Sequence, residues 1–280
     1  MFTLNFISAW GDVLPLVGNP LFTITNIDGL TIVNTNISST TTIGVDGDNV
    51  NNIQALPRDI IIDLTINQGI NVDDAITYVK KYVKAKTTGV LRWKQNNKEK
   101  RIEGIVGDID APRFTNKVVI QISLHCSKSY WEDVNEFITQ ITQFLDLHKF
   151  PIAFPEAGVP FGRYNNDTLT QTFTNDGDVA IGAVFEIITL TEDLIHPVIY
   201  DKDRNYFGVN VTVSKGDTLV INTIKGQKSV TMNGQNLISK MDKGSKWLEL
   251  ALGSNEFSLQ FDYGDETSAY MRIRYKQKYV

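Results

Sequence analysis

The residues with the chemistry to act as bases, nucleophiles or metal ligands are few, and their spacing argues against catalysis. The chain has three histidines, His125, His148 and His196, and one cysteine, Cys126. Asp146 and His148 are close in sequence, but two positions apart at a helix end they point to different faces. All three histidines therefore read as structural or surface groups. Cys126 shares a strand face with Val118, Ile120, Ile122 and Leu124. Nothing nearby in sequence would form its thiolate, so it reads as a buried inert thiol. One cysteine excludes an intrachain disulfide and a cysteine-rich zinc site. The Gly-x-Ser-x-Gly, P-loop and dinucleotide motifs are absent. Gly104–Asp108 lacks the lysine a phosphate loop requires and reads as a strand end. Asp46-Gly47-Asp48-Asn49 and Asp201-Lys202-Asp203-Arg204-Asn205 offer oxygen ligands for calcium. Val50 and Tyr206 stand where an EF-hand needs a ligand or glycine, so turn chemistry is the better reading. No catalytic residue, metal site or cofactor is expected, and no carboxylate pair is singled out for glycoside hydrolysis. Trp247 and Glu249 share one strand face, Leu248 and Leu250 the other. That pattern favours a packing tryptophan over a sugar-stacking platform.

Composition narrows the class. A length of 280 residues suits one large or two ordinary domains, and at that size the core needs no disulfide or metal. Hydrophobic residues are 42% and charged residues 21%, as in an ordinary globular protein. A net charge of −5 and a pI near 5.3 give no basic footprint for nucleic acid. No apolar run reaches membrane-spanning length, and Met1–Ile7 lacks the basic start of a secretory signal. Neither nucleic-acid binding nor membrane insertion is expected.

The elements follow from periodicity. Phe2, Leu4 and Phe6 alternate with polar residues in an opening strand. Residues 34–54 are unusually polar and include Asp46-Gly47, a hairpin signal, which predicts a projecting β-arm. Ile60, Ile62, Leu64 and Ile66 mark a strand. A helix follows, capped by Asn71, with Asp73 and Asp74 in its first turn and Lys80, Lys81 and Lys84 near its end. Strands near Val90–Trp93, Arg101–Val106 and Val118–Cys126 come next. Val134, Phe137, Ile138, Ile141, Phe144 and Leu145 then predict a second helix. The order gives an α+β domain over 1–149. Pro151, Pro155, Pro160, Gly158 and Gly162 mark a linker. Over 150–280 short alternating strands and the turn Asn233-Gly234 predict an all-β sandwich.

Several segments, in order, resemble the distal tail protein family of long-tailed (siphovirus-type) bacteriophages. Leu56-Pro57-Arg58 leads into Ile60–Ile66. Cys126-Ser127-Lys128-Ser129-Tyr130-Trp131 closes the preceding strand. Asn175-Asp176-Gly177-Asp178 precedes Val184–Ile188. Gly216–Thr223 is followed by Val230 and Asn233-Gly234, and Trp247–Leu250 by Gly253–Phe257. Asn222 and Leu252 depart from the family, which has aspartate and proline there.

The resemblance implies an α+β ring-forming domain followed by a galectin-like sandwich, and no enzymatic activity. It implies a homo-hexameric hub at the distal end of a virion tail, assembled in the bacterial cytoplasm. Its partners would be the tail tube protein, a tail-tip or tail-associated protein and a receptor-binding protein. Phe2, Phe6, Trp10, Asp46, Asp48 and Arg58 are the candidate subunit-interface residues. Core burial for the aromatics and a surface cation for Arg58 are the plainer alternatives. The competing function is a carbohydrate-binding host-recognition module.

Overall fold

The computed structural model describes residues 2–31, 33–96, 98–111, 118–141, 144–146, 162–164, 170–262 and 269–280. The chain divides into two compact units, Met1–Val134 with Lys278–Val280, and Asn135–Gln277. The sequence placed the junction at 149/150. Most of the expected proline linker lies outside the described residues.

The first unit is built on antiparallel strands: β1 (Phe2–Ser8), β2 (Val13–Pro15), β3 (Phe22–Asp28), β4 (Thr35–Thr40), β5 (Asn49–Ala55) and β6 (Arg58–Ile66). Then come α1 (Val72–Tyr82), β7 (Thr88–Gln95), β8 (Lys98–Asp110), β9 (Val119–Cys126) and β10 (Trp131–Asp133). The main sheet runs β2-β1-β7-β8-β9-β6-β3. Laid flat, seven strands would set β2 and β3 about 29 Å apart. The connection from Pro15 to Phe22 reaches about 25 Å at most, so the sheet must curl. Its inner face carries Leu4, Phe6, Ile60, Ile62, Leu64, Leu91, Ile102, Ile120 and Ile122, all buried in one core. Helix α1 adds Ile76 and Val79 to that core, and its C-cap residue Val83 joins them. Its start is held by the Asn71 side chain, which accepts from the backbone N–H of Asp73 at 2.8 Å. Such a cap contributes about 1 kcal/mol. The strand Lys278–Tyr279 returns to pair with β10, and Tyr279 is buried.

The expected second helix is not present. Phe137–Ile141 is a strand paired with Ala269–Tyr275, and Phe144–Asp146 is a short strand. The stripe from Phe137 to Ile141 is rich in β-branched residues (Ile138, Thr139, Ile141), which lose side-chain freedom in a helix. A partner strand offers them a ladder and a stack of Phe137 on Tyr275 at 5.4 Å. Among the described residues the first unit is therefore a curled β-sheet with one helix, and the α+β description is corrected to a mostly β one.

The second unit is built on two main sheets, with three two-stranded pairs beside them among the described residues. One contains Phe137–Ile141, Ala269–Tyr275, Val184–Thr189, Thr218–Asn222, Ser229–Met232 and Gln235–Asn236 in spatial order. The other contains Thr170–Asn175, Gly253–Gln260, Val198–Asp201 and Tyr206–Gly208. Phe185, Ile187, Leu219, Ile221, Met271 and Ile273 of the first share one core with Phe173, Ile199, Phe207, Phe257 and Leu259 of the second. Phe185 meets Phe257 edge-on at 5.2 Å across the two sheets. Asn233 and Gly234 both have positive φ, 50° and 78°, as the tight primed hairpin turn requires.

Candidate assembly interface

Strands β4 and β5 form a hairpin that pairs with no other strand among the described residues. Its connection spans residues 41–48, longer than the two-residue turn that Asp46-Gly47 suggests. The sequence looks polar, yet the register sorts it into two unlike faces. Ile37 stands opposite Ile53, and Ser39 opposite Val50. Three positions separate Val50 from Ile53, so a regular strand would put them on opposite faces. The register shifts at Ser38/Ser39 and leaves Asn51 as the extra residue, which returns Val50 to the face of Ile53. The Asn51 amide donates to the Thr40 hydroxyl across the ladder. One face thus carries Asn36, Ser38, Thr40, Asn49, Asn52 and Gln54; the other carries Ile37, Val50, Ile53 and Ala55 together with Thr35 and Ser39. Ile37, Val50 and Ile53 are 58%, 55% and 65% exposed. At the tip, Ile43 and Val45 are exposed as well. A two-stranded hairpin with an apolar face open to water is marginal alone, and such a face marks an interaction surface.

The root of this arm is fixed. Arg58 is 3% exposed and donates from Nη1 to the carbonyls of Leu30 at 2.6 Å and Gly29 at 3.3 Å, and from Nε to Ser129 at 3.1 Å. Trp131, fully buried, donates its indole N–H to the same Leu30 carbonyl at 2.9 Å. Gly29 has φ +75°, and a Cβ there would lie 2.0 Å from the Asp59 carbonyl oxygen. Only glycine allows this crossing of the arm root over β6. Burial lowers the Arg58 pKa, while Cys126 and Tyr130 act against that. Burial also pushes the Cys126 thiol up to about 11, which leaves it inert.

The predicted interface residues separate accordingly. Arg58 is not a surface cation; it is buried and anchors the arm from inside. Phe6 is buried beneath Gly89, where an added Cβ would meet its ring. Phe2 is partly exposed and packs edge-on to Trp93 at 6.0 Å. Trp10 is exposed, with Lys84 Nζ 4.5 Å above its ring and its N–H bonded to Asp12 at 3.0 Å. Asp46 and Asp48 lie exposed in the arm tip. Sequence reading missed Ile37, Val50 and Ile53, because the face they share depends on a bulge that single-strand patterning does not reveal.

Phe2 belongs to a second feature. It lines an open groove of about 440 Å³ together with Leu16, Val17, Asn19, Phe22, Ile24 and Ile27. The groove runs beside β3, the edge strand next to β6. Its wall is preformed: the buried Asn19 side chain donates to the Pro15 carbonyl and accepts from the Leu21 N–H, at 2.9 and 3.0 Å.

The candidates for chemistry are occupied structurally. His196 Nε2 lies 2.7 Å from Asp242 and Nδ1 2.7 Å from Asp262. These two hydrogen bonds, to Asp242 first and Asp262 second, raise its pKa. A ring whose two nitrogens both face carboxylates is a clamp, not a free base. His125 pairs with Asp59 at 2.6 Å, and His148 lies outside the described residues. Asp201 accepts from the backbone N–H groups of Asp203 and Asn205 within its own turn. Among the described residues no group of three or more histidine, cysteine or acidic side chains is placed to hold a metal, and no helix is long and apolar enough to cross a membrane. Trp247 packs on Phe207 at 4.9 Å, with Lys228 Nζ 5.3 Å above its ring.

Comparison with known proteins places this architecture. Residues 176–279 match the family model of the siphovirus-type tail component, C-terminal domain. No curated protein matches the chain in sequence. Among solved structures, the phage SPP1 Dit protein, described as a paradigm of hub adsorption apparatus in Gram-positive infecting phages, is similar over 100% of both chains, at 12% identity and a TM-score of 0.64. A chain of the phage P2 baseplate in its activated conformation aligns over 100% of both chains at 10% identity and a TM-score of 0.45. The chain thus carries the siphovirus-type tail-component domain over residues 176–279, and along its whole length it shares the fold of SPP1 Dit.

Proposed function

We propose that the protein is a non-enzymatic hub. Six copies would form a ring at the distal end of the phage tail, joining the tail tube protein to the tail-tip or baseplate proteins. The first units would form the ring, and a receptor-binding protein could attach to the galectin-like sandwiches. Assembly takes place in the bacterial cytoplasm. The observation that carries this reading is the arm: a hairpin anchored at its root by Arg58 and Trp131, paired with nothing else described, and apolar on one exposed face. A cyclic ring needs two different, complementary patches on each subunit, and the arm supplies one. Its role is to reach a neighbouring subunit.

Excising Asn34–Gln54 and bridging the ends with a short glycine-serine linker tests this. The Leu56 N–H bonds the Asn34 carbonyl at 2.8 Å, so the ends are already adjacent. The expected result is a folded chain that no longer forms rings by mass measurement and negative-stain imaging. Intact rings from the arm-less chain would reject the reading. The packing of Trp247 between Phe207 and Lys228 supports a core role for that tryptophan and gives the carbohydrate-binding alternative no observation of its own.

A further inference from the structure

We infer that the apolar face of the arm of one copy seats in the groove beside β3 of the next copy, with the acidic arm tip beside the β7–β8 turn. This rests on the hub reading and specifies its contact.

Three observations carry it. First, the chain presents two separate apolar surfaces, one on the arm and one in a groove. The arm face of Ile37, Val50 and Ile53 is exposed. The groove of Phe2, Leu16, Val17, Phe22, Ile24 and Ile27 is concave and preformed. Two unlike patches of this kind on one subunit give a head-to-tail contact, the type that closes into rings. Second, β3 is an edge strand with Ile24 and Ile27 half-buried along the groove. A register shift between Ile24 and Asn26 sets both on the core side, opposite Leu64 and Ile62. An arriving strand therefore meets a line of apolar side chains beside unpaired backbone groups. β3 and β5 are both seven residues long, so one can track the other.

Third, the charges match. The arm tip carries Asp46 and Asp48, with no basic residue between Thr35 and Ala55. At the groove end marked by Phe2, the register sets Phe2 opposite Gln95 and Gln95 opposite Lys98. Lys98 thus stands two strands from Phe2 on the same face, about 10 Å away. It is exposed. An acidic tip arriving there meets the Lys98 ammonium, which fixes the direction in which the arm lies.

The lone cysteine makes the test clean, because Cys126 is buried. Ile53→Cys and Ile27→Cys proteins are mixed, allowed to assemble and oxidised, with Val17→Cys as a second groove position in case Ile27→Cys folds poorly. The expected product is a covalent dimer joining arm to groove. The Ile53→Cys/Ile27→Cys double variant should give a ladder ending at the closed ring. Asp46→Lys/Asp48→Lys should weaken assembly on the order of tenfold, and adding Lys98→Glu should restore it in part. Rings that form without either cross-link, or with position 53 joined elsewhere by peptide mapping, overturn this contact and leave the hub reading intact. Cross-linking of position 53 only to an added tube or tip protein overturns it in favour of that occupant. Wild-type protein that stays monomeric at high concentration overturns both.

Discussion

His196 shows how a residue chosen for its chemistry can serve as a structural tie. Its ring joins Asp242 and Asp262, which lie 46 and 66 positions away in the chain. Both bonds are made with the ring as donor only when it is protonated. The folded pKa is raised, so the clamp is fully present below the unfolded value of about 6.5 and is lost as pH rises through the folded value. The melting temperature of the wild type should therefore fall towards that of His196→Gln as pH is raised across that window, with the two separated at lower pH. A difference independent of pH would remove the clamp from the account. Arg58 makes a different case. Replacing it with methionine leaves the Gly29 and Ser129 carbonyls without their donor. A loss of about 1–3 kcal/mol is expected. Chemical denaturation reads that cost, and faster hydrogen exchange confined to residues 29–34 and 55–58 would show that the arm root has loosened.

The arm is the element whose sequence and structure differ most in what they suggest. It reads as a polar excursion, and its residues avoid the core throughout. Its value lies in the side selected by the bulge at Asn51. Ile37→Lys with Ile53→Lys should leave subunit stability unchanged within about 0.5 kcal/mol, because neither side chain packs against the unit. The same pair should abolish ring formation. Denaturation and mass measurement on one preparation separate the two effects. The strand Phe137–Ile141 teaches the complementary lesson. Its apolar residues fit a helical stripe, but β-branched composition and the waiting edge of Ala269–Tyr275 decided for a strand.

At the level of the whole molecule, the chain leaves the first unit at Val134 and re-enters it at Lys278. The last strand is therefore part of the first unit's fold. Tyr279 is buried, pairs opposite Trp131 and reaches Asp133 through its hydroxyl. Removing Lys278–Val280 should destabilise the first unit by about 3 kcal/mol and leave the second untouched. Hydrogen exchange resolved by unit checks this, and equal loss in both would contradict the division.

The sequence by itself determined the β-rich character, the capped helix after Asn71, the alternating strands such as Arg58–Ile66, the Asn233-Gly234 turn and the lack of any catalytic pattern. These depend on local periodicity and turn chemistry, which neighbouring residues carry. Only the tertiary structure decided that Arg58 is buried beneath the arm, that Val50 and Ile53 share a face, that Phe137–Ile141 is extended, and that the chain's end completes its beginning. Each of these depends on a partner strand or carbonyl distant in sequence, and the pairing energy that selects it is absent from any local window.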